Sequence, residues 1–123
     1  MAIGPLAQVH VTVRDVDAAV RFYRDVLGVP FLFQVPGQPM AFFQTGGVRL
    51  YLGRPEAPEF AGKATLYFRV DDVEAEQARL AAAGVPFEGT PHVVHRDGGT
   101  ELWMTLFHDP DGNNLLLMEE RAA

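Results

Sequence analysis

From Gln8 to Arg14 the chain alternates, with Val9, Val11 and Val13 on one side and Gln8, His10, Thr12 and Arg14 on the other. That is the period of a strand with one buried face. The period then changes to helical, as Val16, Ala19, Val20, Tyr23 and Leu27 recur at helical spacing. Asp15 stands where an N-cap belongs, and Gly28, followed by Val29-Pro30, supplies a left-handed stop. Short apolar runs follow at Phe31 to Val35, Met40 to Gln44 and Val48 to Leu52, parted by Pro36-Gly37-Gln38-Pro39 and by Gly46-Gly47. Such breakers predict three strands joined by tight turns.

The same order then begins again. Thr65 to Val70 reads as a strand, Asp72 as a cap and the stretch through Ala83 as a helix, with later strands near Val93 to Arg96, Leu102 to His108 and Asn114 to Glu119. Gly28-Val29-Pro30-Phe31 returns as Gly84-Val85-Pro86-Phe87, and Asp15-Val16-Asp17-Ala18 returns as Asp72-Val73-Glu74-Ala75, about 57 residues on. The pattern predicts an α+β fold of two tandem βαβββ modules, 1–53 and 63–120, joined by a Pro-, Glu- and Gly-rich linker over 54–62. One helix covers one face of a sheet. The uncovered faces are therefore expected to curve together as an eight-stranded open cup with the helices outside, and its hollow is the default ligand site.

Composition narrows the chemistry. A chain of 123 residues is one domain's length, and it contains neither cysteine nor serine, so thiolate clusters, Cys-His dyads and Ser-His-Asp triads are excluded. Ten basic residues against sixteen acidic ones, with Lys63 the single lysine, argue against a nucleic-acid partner. The segment Met1 to Gln8 has neither the basic start nor the apolar run of an export signal. No stretch approaches the roughly 20 apolar residues of a membrane span, and a soluble, cytoplasmic protein is expected.

The run Asp15-Val-Asp-Ala-Ala-Val-Arg-Phe-Tyr-Arg-Asp-Val-Leu-Gly28, the duplicated module and Asp109-Pro-Asp-Gly-Asn113 before the last strand together resemble the vicinal oxygen chelate superfamily. This group includes glyoxalase I, extradiol dioxygenases, methylmalonyl-CoA epimerase, fosfomycin-modifying enzymes and bleomycin-binding resistance proteins. The resemblance implies the eight-stranded cup, a homodimer and, in the enzymes, a divalent metal held by His, Glu or Gln. It also implies where the ligands would stand: seven residues before each capping acid, at Gln8 and Thr65, and about four after each turn glycine, at Tyr51 and Leu116. Those four do not make a divalent site. Leucine cannot ligate, a threonine hydroxyl and a neutral phenol are poor donors, and only the Gln8 carbonyl is reasonable. A register slip of two residues would substitute His10, Gly53, Tyr67 and Met118, which hold one histidine. Neither a metal nor another cofactor is expected.

Other residues carry candidate chemistry. His92 and His95 follow Pro91 in a valine-rich run, so they are expected on a strand and on opposite faces, which does not suit a shared metal. Asp109 to Asn113 reads as a turn rather than a calcium loop, because Asn114 stands where such a loop needs glycine. His10 is a candidate acid or base on the cavity face, with Tyr67 as its counterpart. Arg49, Tyr51, Tyr67 and Arg69 alternate on strands beside the predicted seam and suit a carboxylate or an aromatic ligand, or a rim salt-bridged to acids such as Glu101. Either Trp103 or Met104 must face the cup, and Leu116 and Met118 give it an apolar floor. The sequence reads as a metal-free protein that binds an apolar or aromatic small molecule. The alternative is a lyase, isomerase or dioxygenase with an atypical metal site or a His10 and Tyr67 acid-base pair.

Overall fold

The alternating stretch forms β1 (Gln8–Thr12), and Asp15 turns the chain into the first helix by accepting the Ala18 N–H at 3.1 Å in this computed structural model, which describes residues 2–123. Helix α1 (Val16–Val20) continues with π winding over Arg21–Leu27 and stops at Gly28, whose φ of 80° lies in the left-handed region that favours glycine. Strands β2 (Phe31–Gln34), β3 (Met40–Thr45) and β4 (Val48–Gly53) follow. The sheet order is β1-β4-β3-β2, with β1 parallel to β4 and the other pairs antiparallel. A short 3-10 turn over Pro58–Phe60 leads out of this unit, which ends at Ala64.

The second unit, from Thr65, repeats that plan with β5 (Thr65–Arg69), α2 (Val73–Ala82), β6 (His92–Asp97), β7 (Thr100–His108) and β8 (Asn114–Ala122) in the order β5-β8-β7-β6. Asp72 caps α2 by accepting the Ala75 N–H at 3.0 Å. The fold is thus α+β, two four-stranded sheets with one helix each.

Each helix buries one face of its sheet. In the first unit Val11, Ala41, Phe43, Leu50 and Leu52 meet Ala19, Val20 and Tyr23, and in the second Phe107, Leu115 and Leu117 meet Val73 and Leu80, all of them buried. Fully burying a side chain of this kind contributes about 1.5–3 kcal/mol, so this layer holds helix to sheet within each unit. Thr105, buried among them, donates to Gln77 Oε1 at 2.6 Å, which offsets the loss of water. Asp109 to Asn113 is a structural turn: Asp109 Oδ1 accepts the N–H groups of Asp111 and Asn113, each at 2.9 Å, and Oδ2 accepts the Asn113 amide at 2.8 Å.

Strand β6 departs from the simple alternation expected of His92 and His95. The β6 register steps from Val93 opposite Trp103 to His95 opposite Leu102, a bulge at Val94. The extra residue cancels the odd spacing, so His92, opposite Met104, and His95, opposite Leu102, lie on the same face of the sheet.

Candidate functional site

Pairing between β1 and β4 sets His10 level with Tyr51 and Thr12 level with Gly53. Across the next ladders Tyr51 opposes Phe42, and Phe42 opposes Phe33. Because partners in register share a face, the face turned away from α1 carries one unbroken row of rings, His10, Tyr51, Phe42 and Phe33, one from each strand. The centroids are 4.7, 4.9 and 4.8 Å apart in that order. Phe42 and Tyr51 stack with 21° between their planes, and His10 meets Tyr51 edge-on at 61°. Each such contact contributes about 0.5–1.5 kcal/mol beyond the area it buries.

The row is fixed by its neighbours. Gly53 leaves room for the Tyr51 ring, since a Cβ built there would lie 2.5 Å from Tyr51 Cε1 and 2.7 Å from the Pro39 carbonyl oxygen. His10 Nε2 is 3.2 Å from the Gly53 carbonyl oxygen, and the Tyr51 hydroxyl donates to Glu56 Oε1 at 3.4 Å. Burial first, and the Glu56 carboxylate second, push the Tyr51 phenol above its ordinary range. Arg49, on the same face, holds its guanidinium carbon 5.7 Å from the Phe42 centroid, within cation–π reach. Phe42 and Tyr51 are each only 7% exposed, whereas Phe33 at the sheet edge is 45% exposed.

Of the residues singled out by sequence, Gln8, His10, Arg49 and Tyr51 share this face. In the second unit Thr65, Tyr67, Arg69, Leu116, Met118 and Met104 share the corresponding face of the other sheet, with Tyr67 level with Leu116, Arg69 with Met118, and Met104 opposite Met118. Trp103 does not join them. It opposes Glu119 on the helix side, under the Arg121 guanidinium at 4.1 Å, and donates to Glu101 Oε1 at 3.1 Å. Glu101 binds Arg96 at 2.9 Å, and Arg69 binds Glu120 at 3.2 Å. Sequence reasoning missed Phe33 and Phe42 as parts of a site, and reached Gly53 only through the two-residue register slip. A signal for Phe42 existed, because the tight Gly46-Gly47 turn sets Thr45 opposite Val48 and, counting back, Phe42 opposite Tyr51.

The metal positions implied by the resemblance do not fit a metal. Tyr51 is stacked and bound to Glu56, the Thr65 hydroxyl accepts the Asn114 amide at 3.2 Å, and Leu116 has no donor atom. Among the described residues the carboxylates of Asp72, Glu74 and Glu119 do converge, but they serve the start of α2. Glu119 accepts the Val73 N–H at 2.8 Å and binds Arg121, which also binds Glu74. Arg121 first, then the Val73 N–H, hold the Glu119 carboxyl below its usual range. An open hollow of about 660 Å³ lies elsewhere in the first unit, between the start of α1 and the β2–β3 loop. Its acids are already engaged, Asp15 as the cap and Asp17 with Gln34 at 2.7 Å.

Comparison with known proteins adds four findings. Residues 5–117 match the model of the Glyoxalase/Bleomycin resistance protein/Dioxygenase superfamily. The chain is 29% identical to the uncharacterized protein YraH of Bacillus subtilis, across 88% of this chain and 92% of that one. Among solved structures, a lactoylglutathione lyase from Agrobacterium tumefaciens superposes with a TM-score of 0.74 at 28% identity, covering 96% of this chain and 95% of its own. TnmS3, an antibiotic-binding protein from Streptomyces sp. CB03234, superposes with a TM-score of 0.78 at 28% identity, covering 98% and 99%.

Proposed function

The chain belongs to the glyoxalase/bleomycin resistance protein/dioxygenase superfamily, and from that premise we propose that it is a metal-free binding protein for a flat aromatic small molecule, held on the helix-free face of the N-terminal sheet. The observation that carries this reading is the row of His10, Tyr51, Phe42 and Phe33 with Arg49 beside it. The half-open Phe33 ring offers a stacking surface at the open end of the row, and the buried Phe42 and Tyr51 rings behind it hold that surface in place. Likeness to an antibiotic-binding protein supports a binding role. Gln8 and Arg49 are the polar anchors of this face. Thr65, Tyr67, Arg69, Met104, Leu116 and Met118 offer a more aliphatic surface of their own in the second unit.

Likeness to a lyase keeps an enzymatic reading in view, one that would need a metal or a His10 and Tyr67 acid-base pair. The two readings part on metal content. After incubation with Mn, Fe, Co, Ni and Zn ions and desalting, we expect close to no metal per chain by elemental analysis. A stoichiometry near one would favour the lyase reading and overturn the metal-free one.

A cytoplasmic homodimer completes the proposal. Both sheets have open edge strands, and Leu32 and Phe33 on β2 and Val94 on β6 are exposed apolar side chains at those edges. Light scattering is expected to give twice the chain mass; the chain mass itself would remove the dimer. No helix among the described residues is long and apolar enough to cross a membrane.

A further inference from the structure

Polar groups along the ring row are largely committed. The Tyr51 hydroxyl donates to Glu56, the Thr12 hydroxyl donates to the Phe60 carbonyl oxygen at 3.4 Å, and His10 Nε2 faces the Gly53 carbonyl oxygen at 3.2 Å. A backbone carbonyl only accepts, so Nε2 carries the ring proton. In the neutral imidazole this leaves the lone pair on Nδ1, an acceptor at the end of an aromatic row. The neighbouring Arg49 has donors only and cannot fill that role.

We infer that the site selects, among flat aromatic molecules, those bearing an O–H or N–H donor at the ring edge, and that His10 Nδ1 is the acceptor that reads it. This rests on the aromatic-binding reading above and deepens it. A ring without a donor would strip water from Nδ1 and return nothing, whereas a phenol or ring N–H replaces the lost hydrogen bond. Sites built around such a bond reject analogues that lack it more strongly than apolar pockets reject a missing methylene. His10 is then a specificity residue, held in its tautomer by the Gly53 carbonyl.

The test is calorimetric titration of the full chain with 2-naphthol and with 2-methoxynaphthalene, which share a ring system and differ in the O–H. We expect the naphthol to bind about tenfold more tightly, the size of one net hydrogen bond. In His10→Phe, which keeps a ring beside Tyr51, the two probes should bind within about twofold of each other, and His10→Gln, with an amide acceptor, should recover part of the preference. Equal affinities in the unsubstituted protein would overturn the inference while leaving the aromatic-binding reading in place. So would a preference that survives in His10→Phe. If neither probe binds, the aromatic-binding reading fails and this inference fails with it. The comparison of probes on the unsubstituted protein needs no variant to fold.

Discussion

Two sheets of one topology carry different chemistry on the faces that no helix covers. In the first unit the row across the strands reads His10, Tyr51, Phe42 and Phe33. At the matching positions of the second unit stand Tyr67, Leu116 and Leu106, and β6 supplies nothing opposite Leu106 because its pairing begins at Met104. The helix-facing layer differs far less: Leu50 and Phe43 of one unit answer to Leu115 and Phe107 of the other, all buried. The half of each sheet that must exclude water beneath a helix is constrained by packing. The other half is free to differ, and there the first unit has become aromatic and the second aliphatic.

Removing the middle of each row is the strongest way to break this comparison. Phe42 is 7% exposed and lies between two rings, so Phe42→Ala is expected to destabilise the protein by about 3 kcal/mol or more. Leu106→Ala removes a half-buried aliphatic side chain and should cost about 1–2 kcal/mol. Urea unfolding measures both. Affinity for a flat aromatic probe should be lost in Phe42→Ala and largely kept in Leu106→Ala, and the reverse order would mean that the aliphatic face is the site.

A smaller effect sharpens the comparison at one atom. Gly53 and Met118 hold the same place in their sheets, level with Thr12 and with Arg69. Gly53 has no side chain because the Tyr51 ring and the Pro39 carbonyl occupy the space a Cβ would take. Gly53→Ala should therefore cost about 1–3 kcal/mol and displace Tyr51 from the row. Adding Tyr51→Ala should make the double variant less unstable than the sum of the two single changes, since the ring is the main obstacle. Strict additivity would show that the Pro39 carbonyl is the obstacle and that Gly53 does not position the ring.

The same contrast explains how much was legible in the sequence. Modules, caps and helix stops could be read because alternation, Asp15, Asp72, Gly28 and Gly84 each leave a local signature. The β6 bulge leaves none: Val93 and Val94 are the same residue, and no glycine marks the extra position. Alternation shows that Trp103 and Met104 face opposite ways, but only the pairing of Trp103 with Glu119, beside the start of α2, says which faces the helix. Met40-Ala41-Phe42-Phe43 is apolar on both faces, so periodicity is silent there and the ring row emerges only from the ladder partners.

The smallest predicted effect tests whether the row holds Tyr51 as closely as its geometry implies. Burial and Glu56 raise the phenol's pKa in the folded protein above the unfolded value of about 10. A raised value in the folded state means that the unfolded chain releases this proton first. The contribution to stability is complete below about pH 10 and declines as pH climbs through the interval up to the folded-state value. Subtracting the ultraviolet titration of Tyr51→Phe from that of the unsubstituted protein isolates this phenol, with Tyr67→Phe as the counterpart from the aliphatic face. A difference curve centred above pH 10 is expected. A centre at or below 10 would mean that water reaches the phenol freely, and the row would then be a looser surface than its 4.9 Å stacking on Phe42 implies.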